Sequence, residues 1–169
     1  MLEKSQQAIQ TNEMGSGAVS ASEAKIERRT GSMQAINRLV EHRTEMLSLY
    51  GALASQRPYQ KSDALVDLIQ KFCQSLVDYT ADAHFRLYRF IETNSERRMS
   101  ASKVADLVYP RISASTQRIL DFNDKYDTDQ HCSELIGDLE SDLSALGERL
   151  ADRIELEDRI IDVLARARN

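Results

Sequence analysis

The side chains that could do chemistry in this sequence are few and scattered. Its three histidines are His42, His84 and His131, and its two cysteines are Cys73 and Cys132. A di-metal centre in a helical bundle needs Glu-x-x-His pairs on facing helices, and none occurs. There is likewise no His-Glu-x-x-His, no phosphate-binding glycine loop and no Gly-x-Ser-x-Gly elbow. The two thiols are too far apart in sequence for a Cys-x-x-Cys site, and one core thiol and one surface thiol are expected. These absences predict a chain with no catalytic residues, no metal and no cofactor.

A second kind of candidate is the charged residue set into an apolar seam. Arg43 follows Val40 by three positions and precedes Leu47 by four. Arg153 and Glu157 continue the run Leu146, Leu150 toward Ile160 and Leu164, and Asp78 and His84 sit beside Leu76, Ala83 and Leu87. A charge survives in a core only when it is paired and hydrogen-bonded, so a cluster of Arg43, Asp78, His84, Arg153 and Glu157 is expected. Three readings fit it: an internal salt-bridge network that fixes helix register, a cavity or rim for a partner, and a catalytic or metal centre. Stripe position assigns Arg43, Arg153 and Glu157 to internal support. Next to the cluster, Asp78, Asp82, Phe85 and Arg89 recur at helical spacing and form one line, with Tyr79 and Tyr88 on its flanks. Phe85 in an acidic line suits a protein-binding anchor, and core packing of the same ring is an equal alternative. Aromatic rings with a wet hydroxyl suit interfaces.

The elements that must position these groups are helical. Four segments carry apolar residues at intervals of three and four. The first is Ser32 to Ala54, with Met33, Ile36, Val40, Leu47, Tyr50 and Ala54 on its stripe, and Arg57-Pro58 after it. The second opens at Ser62, an N-cap residue whose hydroxyl can accept from the first turn, and runs to about Ser95 through Leu65, Ile69, Phe72, Leu76, Ala83, Leu87 and Phe90. The third covers Ser100 to Asn123 with Val104, Leu107, Val108, Ile112 and Ile119, and Pro110 predicts a kink or a split there. The fourth spans His131 to Ala167. With 6 glycines and 2 prolines in 169 residues, turns are scarce, and the fold class is all-α: an antiparallel bundle of four main helices. Residues 1–31 read as a separate segment, with a short helix at Met1–Gln10 and a flexible linker at Asn12–Ser22; residues 32–169 read as the bundle domain. No apolar run is long enough to span a membrane and no signal-peptide core is present, so a cytoplasmic protein is expected.

Charge is spread unevenly. From Asp124 to Asn169 there are 13 acids and 6 bases, net −7, so the preceding 123 residues carry +2 of the total −5. Phosphate binding needs a basic surface, and an acidic third argues against a nucleic-acid ligand. A basic protein partner and a merely solvated acidic face both remain open.

Several of these residues carry a resemblance. Phe72-Cys73-Gln74-Ser75-Leu76-Val77-Asp78-Tyr79, followed by His84-Phe85 and Tyr88, resembles the signature segment of the Rsd/AlgQ family, the regulators of sigma D. Pro110 with Thr116-Gln117-Arg118-Ile119 and Asp121 is similar to that family's third helix. Arg153 with Leu156-Glu157-Asp158 is similar to its C-terminal Arg-x-x-Leu-Glu-Asp. The matches run in order from about Asn37 to Leu164. One departure is clear: where the family commonly reads Asp-Arg-Trp-Leu, this chain has Asn37-Arg38-Leu39-Val40.

The resemblance implies an elongated all-helical bundle. It also implies an anti-sigma factor that binds and sequesters the primary, sigma-70-type sigma subunit of RNA polymerase, chiefly through its −35-recognising region, in stationary phase. Position on the helix stripes, rather than the family, singles out Asp78, Tyr79, Asp82, His84, Phe85 and Tyr88 as the partner-binding residues. The alternative is a helical adaptor for another signalling protein or an alternative sigma factor. Monomer and homodimer are both open, since one apolar face can be shared by two chains.

Overall fold

The computed structural model describes residues 13–88 and 99–166. Helix α1 spans Glu13–Ala54, α2 spans Asp63–Asp82 and runs into a π-helical turn at Ala83–Tyr88, and α3 spans Met99–Lys125. The short α4 (Asp129–Glu134) and a 3₁₀ turn (Ile136–Asp138) lead into α5 (Leu139–Arg166). Among the described residues there is no strand. The proposed helix at Met1–Gln10, the far end of the second segment at residues 89–95 and Ala167 lie outside the described residues. The chain divides into two compact units, Met1–Ala35 and Ile36–Asn169.

The first helix begins earlier than its apolar stripe predicts, and the expected linker is helical from Glu13 onward. Gly15 and Gly17 each cost about 1 kcal/mol against alanine, but Ala18, Ala21, Glu23, Ala24 and Lys25 are good helix formers. In this part of α1 Ile26 and Met33 are exposed, and Thr30 Oγ1 donates back to the Ile26 carbonyl at 3.0 Å.

In the second unit, the core is built from α2, α3, α5 and the remainder of α1. Helices α3 and α5 make the most extensive pairing. Leu139, Leu143, Leu146, Leu150, Ile160 and Leu164 are all buried on α5, as the fourth stripe requires. Helix α2 buries Leu65, Ile69, Phe72 and Leu76, and Ser62 Oγ accepts from Leu65 N–H at 3.1 Å, so both the cap and the stripe are where the sequence puts them. Aromatic edges tie three helices together. Phe72 meets Tyr50 of α1 and Phe122 of α3, each at 5.9 Å between centroids.

Further expectations need correction, among them the fourth segment, which is not one helix but α4, the 3₁₀ turn and α5. The buried seam of α1 is Leu39, Met46 and Leu53, each fully buried, while Met33, Val40 and Leu47 are exposed. The helix is therefore rotated by one residue from the predicted stripe, because Leu39-Val40 and Met46-Leu47 are adjacent apolar pairs and either member could face inward. Leu39, at the position of the family's tryptophan, is thus a packing residue. Leu107 is 78% exposed although it was placed on the α3 stripe. Helix α3 continues unbroken through Pro110, so the split does not occur; Val108 and Ile112 are buried on either side of the proline, and packing outweighs one lost backbone bond. Finally, both thiols are buried and free. Cys132 sits on α4, which packs on α2: its thiol donates to the Tyr126 carbonyl and accepts from Gln70, each at 3.3 Å. Burial pushes the Cys73 thiol up to about 12.

Candidate functional site

The charged residues in the seams do meet, in part. Arg153 is 1% exposed and Glu157 not at all. They are one helical turn apart on α5, which brings their side chains together, and Arg153 Nε donates to Glu157 Oε1 at 2.8 Å. The other end of the guanidinium turns to α3, where Nη1 donates to Thr116 Oγ1 at 2.7 Å and Ser115 Oγ at 3.1 Å. Both hydroxyls spend their protons on the Ile112 carbonyl, which leaves oxygen lone pairs for the arginine. The opposite carboxylate oxygen, Oε2, accepts from Tyr79 Oη of α2 at 2.5 Å and from Arg43 Nη2 of α1 at 3.2 Å. Arg43 Nη1 also donates to Asp158 Oδ1 at 2.6 Å. Two cations and two anions thus close on one another, joining all four long helices.

Electrostatics follow from this closure. Burial works against charge on Arg43, but the hydrogen bond to Asp158 and the attraction of Tyr79 and Glu157 outweigh it and hold its pKa above the ordinary value. Tyr79 is pushed well above the usual phenol range, first by burial and then by the Glu157 charge. The Arg153 guanidinium also lies 5.7 Å from the centroid of the Tyr79 ring, a favourable cation–π placement.

Of the five residues expected in the cluster, Arg43, Arg153 and Glu157 are brought together and Asp78 and His84 are not. Asp78 is exposed and accepts from Gln74 Nε2 at 3.0 Å. His84 is exposed, with its ring edge-on to Phe85 at 5.2 Å. Tyr79, expected on the flank of the docking line, is fully buried. One residue along a helix is a rotation of about 100°, so Asp78 facing solvent turns Tyr79 inward. Ser115, Thr116 and Asp158 join the network beyond the residues expected in it. The signal was there for Asp158, which adjoins Glu157 in the matched C-terminal stretch.

Outside the network, the end of α2 carries the acidic and aromatic groups. Asp82 is half-buried: Arg86 Nε donates to its Oδ1 at 2.7 Å, and His42 Nδ1 of α1 lies 2.6 Å from its Oδ2. Phe85 is 64% exposed. The line from Asp78 through Asp82 to Phe85 crosses from α-helix into the wider π-helical turn, a feature that often marks functional positions. The turn ends at Tyr88, and Arg89 lies outside the described residues. Among those residues, no three His, Cys, Asp or Glu side chains are grouped to hold a metal ion, and no helix is long and apolar enough to cross a membrane.

A buried charge network, in which Arg43 Nε lacks a hydrogen-bond partner, ties together an all-helical bundle that exposes Phe85 beyond the end of α2. Comparison with known proteins gives this bundle a family. Residues 19–165 match the family described as "Regulator of RNA polymerase sigma(70) subunit, Rsd/AlgQ", and the chain belongs to the Rsd/AlgQ family. It is 33% identical over 141 residues to the "Regulator of sigma D" of Enterobacter sp. (strain 638), covering 82% of this chain and 85% of that protein. It is 31% identical over 142 residues to that of Shigella dysenteriae serotype 1, covering 80% and 86%. With that of Yersinia enterocolitica the identity is 28% over 142 residues, covering 82% and 85%. No solved structure matches the chain.

Proposed function

We propose that this chain is an anti-sigma factor, which binds the primary, sigma-70-type sigma subunit of RNA polymerase and keeps it from the core enzyme. The family match over residues 19–165 carries this reading. The docking face is the end of α2 and its π-helical turn, with Asp78, Asp82, His84 and Phe85; Tyr79 supports it from beneath, and the side chain of Tyr88 lies outside those the structure describes. An exposed phenylalanine beside carboxylates suits a basic protein surface with an apolar centre. A sigma region that grips promoter phosphates near the −35 element is such a surface, so an acidic binder competes with DNA for it. The work needs no bond to be made or broken, takes place in the cytoplasm where the polymerase is, and matters most in stationary phase, when alternative sigma factors compete for core enzyme.

The test is size-exclusion chromatography of the purified chain with and without purified primary sigma factor. A co-eluting complex of fixed stoichiometry that weakens with salt is the expected result. Separate elution at micromolar concentrations of both would remove the assigned role while leaving the fold untouched.

A further inference from the structure

We infer that α1 is a self-association surface, on which a second copy of this chain lays its own α1 as a parallel, two-stranded coiled coil from Ile26 to Leu47. The inference does not depend on the anti-sigma reading above.

Spacing marks the surface. Ile26, Met33, Val40 and Leu47 recur at intervals of seven residues, and all four belong to α1. Each is exposed although large and apolar, Ile26 to 62% and the others to between 39% and 43%. Apolar residues scattered singly over a surface are ordinary, but four in one register are a heptad line. Between them, at intervals of four and three, stand Thr30, Asn37 and Thr44, which are exposed as well. In the first unit Ile26, Thr30 and Met33 hold this alternation; in the second, Asn37, Val40, Thr44 and Leu47 continue the count.

The first unit has a need that such pairing meets. None of its described side chains is buried, and a helix without a packed face is marginal in water.

The seam selects its occupant. It carries no charge from Ile26 to Leu47, in a chain that is 29% charged, so a strongly acidic or basic partner has nothing to pair with along it. Both threonines donate their hydroxyl protons to their own helix, Thr30 to the Ile26 carbonyl at 3.0 Å and Thr44 to the Val40 carbonyl at 2.8 Å. That leaves Asn37 as the seam residue whose amide needs a donor and an acceptor once water is excluded. A second Asn37 across a two-fold axis supplies both. Parallel register puts it there, whereas an antiparallel pair sets Asn37 against apolar positions. One asparagine at this heptad position is a device that fixes two strands in register.

Pairing does not consume the residues described above. His42, which meets Asp82, and Arg43, which meets Glu157 and Asp158, stand at other heptad positions.

The test is light scattering during size-exclusion chromatography of the full chain at high micromolar concentration. The expected mass is twice 19.2 kDa, falling to that of one chain in Val40→Glu, which opposes two like charges in the seam. Circular dichroism of the helices is the folding control. Val40→Cys, treated with a mild oxidant, should give a disulfide-linked dimer, because parallel register brings the two positions face to face and both native thiols are buried. A single-chain mass for the wild type, or a dimer that Val40→Glu leaves intact, would overturn the inference. A dimer that Val40→Cys does not cross-link would overturn the parallel seam. If Val40→Glu fails to fold, the Val40→Cys cross-link decides.

Discussion

Arg153 Nε and Glu157 Oε1 are 2.8 Å apart on one turn of α5, with both side chains closed off from water. Because Glu157 also takes Tyr79 and Arg43 on its other oxygen, its charge is shared by three helices. Removing one member of a buried ionic set leaves the others uncompensated, which costs about 3–5 kcal/mol. Glu157→Gln should therefore destabilise the fold by that order, read from urea unfolding. The paired replacement Arg153→Met with Glu157→Leu should lose less than Glu157→Gln alone, since it leaves fewer buried charges without a partner. Equal losses for the two variants would mean that the network does not act as a unit.

Gly147 is needed for a different reason. A Cβ at that position would run into the hydroxyl and ring of Tyr50, whose Oη donates to the Leu143 carbonyl at 2.9 Å across the α1–α5 contact. Glycine inside a helix ordinarily costs about 1 kcal/mol against alanine, so Gly147→Ala would stabilise an open site. Here it should destabilise, by about 1–3 kcal/mol, because the ring has to shift and the hydrogen bond is strained or lost. In a Tyr50→Ala background the sign should reverse. A double-mutant cycle on melting curves reads this directly, and a stabilising Gly147→Ala in the wild-type background would contradict the close approach.

Alkaline pH should unfold the protein earlier than neutral pH. Cys73 is raised from 9.0 to about 12 and Tyr79 above its ordinary 10.0, both chiefly by burial. A raised acid keeps its proton in the folded state after the unfolded chain has lost it. Stability from these groups is thus complete below pH 9 and falls as pH rises through the interval between the unfolded and folded values. Each group contributes a slope of about 1.4 kcal/mol per pH unit while it lies in that interval. Melting temperatures should be flat from pH 7 to about 8.5 with respect to these groups and drop beyond it. Cys73→Ala should make the decline between pH 9 and 10 shallower; an unchanged slope there would show that the thiol is not the source.

These relationships were legible in the sequence to different depths. Helix α2 could be read well because Leu65, Ile69, Phe72 and Leu76 recur at intervals of three and four after the Ser62 cap, and their apolar neighbours Val66 and Cys73 fall on the same buried face. Helix α1 was ambiguous by a single residue, since Leu39-Val40 and Met46-Leu47 present two parallel stripes and only the partner helices choose between them. Arg43 lies close enough to both stripes to be identified either way. Asp78 and His84 were grouped with the network because stripe position has a resolution of about one residue, and at one residue Tyr79 and Asp78 exchange inside for outside. Ser115 could not be found, and Thr116 stood out only through the matched third-helix stretch, because a hydroxyl becomes an arginine acceptor only when a neighbouring helix delivers the guanidinium. The break between α4 and α5 was read as continuous helix although Thr128 caps one (its Oγ accepts from His131 N–H at 3.1 Å) and Gly137 interrupts the next.

Phe85 separates binding from stability. At 64% exposure its ring contributes little to the folded chain, and Phe85→Ala should change stability by no more than about 0.5 kcal/mol. As the apolar centre of a docking face it should cost sigma binding about tenfold or more, as buried aromatic anchors do. Asp78→Arg acts on the same face through charge alone. It should slow association and reduce the salt dependence of the rate while leaving dissociation nearly unchanged, because an exposed rim charge steers encounter and is screened by ions. Stopped-flow association at two salt concentrations, with melting curves as control, distinguishes the two effects. If both variants bind sigma as the wild type does while the wild-type complex forms, the end of α2 is not the docking face, and the partner must be held elsewhere on the bundle.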